Sequence, residues 1–198
     1  MHSQLEQLKR ELEQFGRQHD AANQDRAKRM LNIPRDTCEF LSVLIQATAA
    51  RHILEIGTSN GYSTLWLAEA AHITGGKVIT VEYAEPKCAM ARENFAAAGL
   101  DGVIESHCIE AGRLLSRLAP ASQDLIFLDS ERSKYLGWWP SLQSVLRPGG
   151  LLVVDNALSH QQELAEFTRR VASDPGFTSC LVPVGKGKFL ATKARLRE

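Results

Sequence analysis

The chain has 198 residues, of which 44% are hydrophobic, and this length and composition predict one compact domain with its own core. Its 23 basic and 23 acidic residues leave no basic excess with which to bind nucleic acid or an anionic membrane. No apolar run approaches the roughly 18 residues that would span a bilayer, and the first residues lack an apolar signal region. Four scattered cysteines without a CxxC pair predict reduced thiols, so we expect a cytoplasmic protein.

Residues 1–30 predict an N-terminal helical extension to a domain that covers residues 31–198. Within the extension, residues 4–18 predict a helix whose apolar side chains recur along one face, at Leu5, Leu8, Leu12 and Phe15. That face either packs on the chain's own domain or forms an arm of a dimer, and the spacing favours neither. A second short helix is predicted over residues 21–30, and Pro34 ends it.

The rest of the chain alternates between helices and strands, beginning with a helix that starts near residue 35. The predicted strands are residues 51–57, 77–82, 103–108, 124–129 and 151–155, and the helices that follow them are residues 61–71, 86–98, 111–118, 133–146 and 158–172. Residues 148–150 are predicted as a turn, and residues 177–183 and 188–193 as an antiparallel hairpin. Continuous apolar strands indicate a mostly parallel sheet of seven strands, with helices on both faces and the hairpin at one edge.

Residues 53–68 change their hydrophobic period from that of a strand to that of a helix, across a turn that carries Gly57 and Gly61. In α/β sheets a turn of this kind binds nucleotides, because glycine lets the backbone bend and a ligand approach closely. The dinucleotide pattern GxGxxG is not present, since position 59 is serine. The turn therefore favours a ligand with a ribose and no pyrophosphate over a nicotinamide-binding oxidoreductase.

Acidic residues stand at the ends of the predicted strands, where a parallel sheet binds its ligands. Glu82 follows Gly57 by 25 residues, at the position from which a carboxylate accepts hydrogen bonds from ribose hydroxyls. Asp129, Asp155 and Asn156 end two further strands. Two carboxylates and an amide suit Mg²⁺ or Ca²⁺ better than zinc.

Six runs of the sequence together resemble the class I S-adenosylmethionine-dependent O-methyltransferases. They are Leu54–Ser63, Thr80–Glu82, Ala98–Leu100, Phe127–Asp129, Pro148–Gly150 and Val153–Asn156. More narrowly they are similar to the metal-dependent branch that contains catechol and caffeoyl-CoA O-methyltransferases and small bacterial relatives. The resemblance covers roughly residues 31–193. It implies a Rossmann-like fold and transfer of a methyl group to a hydroxyl of a small catechol-like or other diol acceptor, with assistance from Mg²⁺.

The resemblance also implies roles for individual residues. It implies S-adenosylmethionine binding by Leu31, Ile33, Glu55, Gly57, Thr58, Ser59, Gly61, Tyr62, Ser63, Glu82, Tyr83, Glu110, Ala111, Asp129 and Ser130. Gly57 would line the methionine part, and Tyr62 and Ser63 would hold its carboxylate at a helix N-terminus. A divalent cation would bind Asp129, Asp155 and Asn156, and the implied catalytic residues are Asp129, Arg132, Lys134 and Tyr135. We expect a homodimer.

The chain departs from the family's pattern where the acceptor is chosen. Arg132 stands where the family has a lysine that acts as general base, and arginine stays protonated. Arg132 would instead stabilise a phenolate or bind a carboxylate or phosphate of the substrate, and Lys134 is a candidate replacement base. Residues 157–160 lack the family's tryptophan–glycine pattern. A cofactor-binding protein with lost or altered activity is therefore a second hypothesis.

Overall fold

The computed structural model of the protein describes residues 2–195. Its helices are α1 (His2–Ala22), α2 (Arg35–Ala47), α3 (Tyr62–Ile73), α4 (Glu85–Ala98), α5 (Ala111–Leu115), α6 (Tyr135–Val145) and α7 (Gln161–Ala172). Its strands are β1 (His52–Ile56), β2 (Lys77–Glu82), β3 (Ile104–Cys108), β4 (Gln123–Leu128), β5 (Leu146–Val154), β6 (Phe177–Val182) and β7 (Lys188–Lys193). In this range no helix is both long and apolar enough to cross a membrane.

The strands form one seven-stranded sheet in the order β3-β2-β1-β4-β5-β7-β6. The first five strands in this order are parallel, whereas β7 pairs antiparallel with both β5 and β6. The predicted fold class is therefore confirmed. The chain leaves β1 for β2 on one side and returns to β4 on the other, so the sheet's crevice opens at the carboxyl ends of β1 and β4.

The core lies on both faces of the sheet, because successive side chains of a strand point in opposite directions. Ile53 of β1 and Phe127 of β4 belong to the cluster under α2 and α3. Their neighbours Leu54 and Leu128 belong to the cluster under α6 and α7. These continuous apolar strands need helices on both faces, as the sequence predicted.

Helix α1 packs against the chain's own core. Leu5 and Leu12 are buried in the same cluster as β1. Lys9 is fully buried, with its ammonium 2.5 Å from a Glu69 carboxylate oxygen and 3.8 Å from the centre of the Trp66 ring. The apolar face of the first helix is thus used within the chain.

Several predicted elements differ from the structure in their type or bounds. The helix predicted over residues 21–30 is a 3-10 turn, Arg26–Lys28, capped by Asp25. Residues 148–150, predicted as a turn, lie within β5, because its pairing with β4 shifts register and lets the strand start earlier. Helix α7 begins at Gln161, since the preceding residues form turns that bond to the β6–β7 hairpin.

The prediction of reduced cysteines is wrong for one pair. A disulfide joins Cys88 and Cys108, whose Cα atoms are 5.9 Å apart. Helix α4 crosses from β2 to β3, which lie side by side, and this crossing brings the two cysteines together. Cys38 and Cys180 are free.

Candidate functional site

Two adjoining cavities lie at the carboxyl ends of the parallel strands. Both are lined by Leu31, Gly57, Glu82, Ser130 and Arg132, so they form one continuous site. The larger has a volume of about 680 Å³, within the range of small-molecule sites. The smaller reaches inward to the ends of β4 and β5.

Most of the predicted cofactor-binding residues line these cavities. They are Leu31, Ile33, Gly57, Thr58, Ser59, Ser63, Glu82, Tyr83, Glu110, Ala111, Asp129 and Ser130. The lining also includes the predicted metal ligands and two of the predicted catalytic residues, Arg132 and Lys134. The structure places four predicted residues outside it: Glu55, Gly61, Tyr62 and Tyr135.

The two glycines of the turn are required mainly by packing against the protein. Gly57 and Gly61 have φ angles of +112° and +85°. A Cβ atom on Gly57 would lie 2.1 Å from the Asp129 carbonyl oxygen, and one on Gly61 would lie 2.5 Å from the Phe95 ring. The turn is therefore held tightly against β4 and α4, which corrects the expectation that both glycines make room for a ligand.

Glu55 supports the site from beneath and does not touch the cavities. Its buried carboxylate accepts hydrogen bonds from the hydroxyls of Ser63, Thr64 and Thr80, at 2.5 to 2.6 Å. Burial raises the pKa of Glu55 to about 7, although these hydrogen bonds favour the charged form. The structure therefore places Glu55, a predicted cofactor ligand, behind the cavity wall, where it fixes the start of α3 to β2.

Tyr62 also points away from the cavities. Its side chain is 1% exposed and packs edge-on against Trp66. Ser63, one residue later on α3, does line the smaller cavity. Because successive residues of a helix differ in direction by about 100°, only one of these two neighbours can face the ligand.

Glu82 joins the turn to the end of β2. One of its oxygens accepts the Ser59 N–H at 3.0 Å, and the other accepts the N–H groups of Tyr83 and Ala84, both at 3.0 Å. A carboxylate has about four lone-pair sites. The oxygen bonded to Ser59 therefore keeps a free site for a ligand hydroxyl.

The larger cavity ends at β3 and α5. Glu110 caps α5 by accepting the Arg113 N–H at 3.0 Å, and Ala111 follows it on the cavity wall. Trp138 of α6 and the exposed Tyr83 line the same cavity. This end therefore offers flat apolar surfaces of the kind that accommodate a purine ring.

The segment between α1 and α2 closes over the smaller cavity. Asp20 of α1 accepts the N–H groups of Met30 and Leu31, at 2.6 and 2.8 Å. The Ser59 hydroxyl donates to the Met30 carbonyl at 2.7 Å. The sequence analysis did not find Asp20, because an acid near the end of a helix gives no local indication of the loop that it holds.

The acidic end of the smaller cavity is built from Asp129, Asp155 and Asn156. The Asn156 side-chain amide donates to Asp129 at 3.1 Å, and the Asn156 backbone N–H donates to Asp155 at 2.7 Å. Burial, and then the charge of Asp155, raise the pKa of Asp129 above its ordinary value. The structure thus brings the three predicted metal ligands together.

Lys188, the first residue of β7, lies at the same place. Its side chain is fully buried, and its ammonium lies 2.5 Å from an Asp155 carboxylate oxygen. The oxygen donors suit a divalent cation in type, but Asp155 already holds the Lys188 ammonium. As the side chains stand, the set does not fit a metal ion bound by all three predicted ligands.

Arg132 and Tyr135 have different positions. Arg132 lines both cavities and pairs with Glu163 at 2.7 Å. The Tyr135 hydroxyl is buried, accepting the Ser130 N–H at 2.7 Å and donating to the Ser130 carbonyl at 3.2 Å. The structure therefore places Tyr135, a predicted catalytic residue, outside the cavities, where it supports Ser130 from behind.

Two polar groups of the site are buried without a hydrogen-bond partner among residues 2–195. They are the Ser130 hydroxyl oxygen and the Asn60 side-chain nitrogen. Both residues line the smaller cavity. Unpaired buried polar groups cost free energy, so these two fit a polar ligand that would bond to them. The sequence analysis had not selected Asn60.

Comparison with known proteins gives consistent matches. The sequence profile of the O-methyltransferase family matches residues 3–194. A catechol O-methyltransferase of Niastella koreensis is 34% identical over 131 residues, which cover 65% of this chain and 59% of that protein. One from Mycobacterium tuberculosis is 36% identical over 128 residues, or 65% of this chain and 58% of that protein. The alignments thus span less than two thirds of these relatives' length.

A solved structure agrees over nearly the whole chain. The crystal structure of the O-methyltransferase from Bacillus cereus, in complex with SAH, superposes with a TM-score of 0.77 and 26% sequence identity. The superposition covers 96% of this chain and 90% of that one.

Proposed function

The chain belongs to the O-methyltransferase family, and from this premise we propose that it transfers the methyl group of S-adenosylmethionine to a hydroxyl of a small acceptor. The observation that carries the proposal is the cavity between the Gly57 turn and Glu82, with unpaired polar groups on Asn60 and Ser130. The Bacillus cereus relative, which was solved with the demethylated product of this cofactor, supports the same choice.

In this proposal the cofactor spans both cavities. Its ribose donates a hydroxyl to the free lone pair of Glu82, and its adenine lies in the larger cavity beside Ala111 and Trp138. Its carboxylate lies near Ser63, at the N-terminus of α3, where the helix dipole favours an anion. The sulfonium methyl then faces the smaller cavity.

The reaction is an in-line displacement. The acceptor oxygen forms a bond to the methyl carbon as the carbon–sulfur bond breaks, and the electron pair of that bond stays on sulfur. The enzyme contributes chiefly by holding the two reactants in line and excluding water. Arg132 donates hydrogen bonds to the developing oxyanion, and Asp129, whose pKa is raised by burial and by the charge of Asp155, accepts the proton in its ionised form.

Magnesium assistance stays a prediction of the sequence, as do the homodimer and the cytoplasmic location. The proposed cation ligands are Asp129, Asp155 and Asn156. Because Lys188 already pairs with Asp155, no step proposed here passes through a metal ion.

We propose that the acceptor is a catechol-like diol with an acidic substituent. The smaller cavity is lined by five basic side chains, Arg26, Lys87, Arg132, His160 and Lys186. Such a cavity attracts an anion, and arginine is suited to bidentate recognition of a carboxylate.

The test has two steps. Calorimetry with S-adenosylhomocysteine measures cofactor binding, and mass spectrometry then measures methyl transfer to 3,4-dihydroxybenzoate, catechol and 3,4-dihydroxybenzylamine. We expect cofactor binding, and transfer that is fastest with the acid and slowest with the amine. A protein that does not bind the cofactor would refute the proposal. Binding without turnover on any hydroxyl acceptor would support the second hypothesis, a cofactor-binding protein with lost activity.

A further inference from the structure

The ends of β4 and β5 hold two carboxylates that need a positive charge. Asp129 and Asp155 lie side by side at the floor of the smaller cavity, and Asp155 is only 2% exposed. Carboxylates this close repel each other, and removing Asp155 from water without a cation is costly.

Lys188 supplies such a charge from within the chain. Its ammonium lies 2.5 Å from Asp155 and donates a second hydrogen bond to the Val184 carbonyl at 3.2 Å. Its side chain has no exposure to solvent. A buried ammonium with two oxygen partners is a fixed part of the site, unlike an exposed lysine at a hairpin.

The fold determines this position. Strand β7 pairs antiparallel with β5, and Val154 stands opposite Phe189. Continuing this register by one residue brings Asp155, just past the end of β5, opposite Lys188, the first residue of β7. Side chains opposite each other on antiparallel strands lie close together, so the register itself brings the lysine to the acid.

A divalent cation at this place would meet the ammonium. It would have to share Asp155 with Lys188 or displace the lysine, whose charge would repel it at close range. Cationic side chains elsewhere in the cavity, such as Lys186 and Arg132, add to the positive field. Metal binding by Asp129, Asp155 and Asn156 is thus opposed by the chain's own side chains.

We propose that the Lys188 ammonium takes the place of the divalent cation at the ends of β4 and β5, so that the protein holds these acids in position without a metal. Lys188 is then a positioning residue that acts through Asp155. The inference rests on the proposed function only for its consequence, that methyl transfer needs no divalent ion.

Manganese binding tests the inference without measuring activity. The electron paramagnetic resonance signal of free Mn²⁺ is titrated with the wild-type protein, Lys188→Met, Asp155→Asn and, as a matched control, Lys186→Met. Lys186 is exposed and lines the same cavity, so its replacement removes an equal charge without freeing Asp155. We expect Lys188→Met to bind Mn²⁺ at least about tenfold more tightly than wild type, and Lys186→Met to bind far less tightly than Lys188→Met.

Mn²⁺ binding by the wild-type protein itself would contradict the inference. If the wild-type protein binds Mn²⁺ as tightly as Lys188→Met does, and Asp155→Asn abolishes that binding, the inference is wrong. If Lys188→Met does not fold, the comparison of wild type with Asp155→Asn still tests the inference. Mn²⁺ binding by the wild-type protein that is lost in Asp155→Asn would refute the inference. The absence of Mn²⁺ binding by the wild-type protein would support it. Folding of Lys188→Met only in added Mg²⁺ would support it too.

Turnover separates this inference from the proposed function. In an active wild-type protein, methyl transfer should be unchanged by EDTA, and loss of transfer that Mg²⁺ restores would contradict the inference. A wild-type protein that binds neither S-adenosylhomocysteine nor Mn²⁺ would refute the proposed function and leave the role of Lys188 standing.

Discussion

The two ends of the site hold their carboxylates by different means. Near the turn, Glu55 and Glu82 accept hydrogen bonds from hydroxyls and backbone N–H groups, all of them uncharged. At the ends of β4 and β5, Asp155 pairs with the ammonium of Lys188, and the neighbouring Asp129 accepts a hydrogen bond from an uncharged amide.

The difference shows that acidic residues at strand ends serve more than one purpose. Neutral donors hold a carboxylate in place but leave its charge uncompensated, so burial still raises the pKa of Glu55. An ammonium compensates the charge and opposes the binding of a second cation at the same place. The first arrangement leaves Glu82 able to accept a ligand hydroxyl, whereas the second occupies Asp155.

The largest expected effect concerns Glu55 and pH. Because its pKa is raised from 4.5 to about 7 on folding, the folded protein holds this proton more tightly than the unfolded chain. The stability that Glu55 contributes is therefore full below about pH 4.5 and is lost as the pH rises through about 7. Relative to Glu55→Gln, the wild-type free energy of unfolding should fall by up to about 3 kcal/mol across this range.

Urea unfolding of both proteins at several pH values measures this change. The exposed Glu85→Gln, which removes a carboxylate from the surface, serves as the control. Parallel pH profiles for wild type and Glu55→Gln would show that hydroxyl donors compensate the buried charge fully.

The next effect concerns cofactor affinity. Glu82→Gln replaces a carboxylate that bonds three backbone N–H groups and faces both cavities. Charge-assisted hydrogen bonds are about twice as strong as neutral ones, so S-adenosylhomocysteine should bind about thirtyfold more weakly, a loss of about 2 kcal/mol. Calorimetry measures the change, again with Glu85→Gln as the control. Unchanged affinity would remove Glu82 from the proposed ribose site.

A smaller effect should separate acidic from neutral acceptors. Arg132→Gln removes the guanidinium that lines both cavities. We expect kcat/KM to fall about tenfold more for 3,4-dihydroxybenzoate than for catechol, because only the former carries a carboxylate. Glu163→Gln, which frees the guanidinium from its ion pair, should not weaken use of the acid. Equal losses for both acceptors would place Arg132 at the reacting oxygen alone.

The smallest expected effect is on stability and comes from Tyr135, which lies behind the cavity wall. Tyr135→Phe leaves the Ser130 N–H without the hydroxyl that it bonds at 2.7 Å. A lost buried hydrogen bond of this kind costs about 1 kcal/mol, to be read from urea unfolding. Tyr83→Phe, at a side chain that is 74% exposed, should be neutral. A loss of kcat without any loss of stability would instead assign Tyr135 to the chemistry.

The sequence was most informative where one short stretch contains all the parts of a structure. The strand, glycine turn and helix of residues 53–68 form as predicted, because their hydrophobic periods differ sharply. The alternation of strands and helices likewise predicted the parallel sheet and the antiparallel hairpin. Boundaries were predicted less well, as at residues 148–150, where strand pairing outweighed the turn preference of Pro-Gly-Gly.

What the sequence determined by itself was therefore the sheet, the turn at its crevice and the row of acids at the strand ends. The tertiary structure decided what faces each acid: hydroxyls for Glu55, backbone N–H groups for Glu82 and the ammonium of Lys188 for Asp155. The physical reason is the distance along the chain over which each effect acts. Periodicity and turn preference act over a few residues, whereas the partner of a buried charge is set by strand register and helix packing, which join positions far apart in the chain.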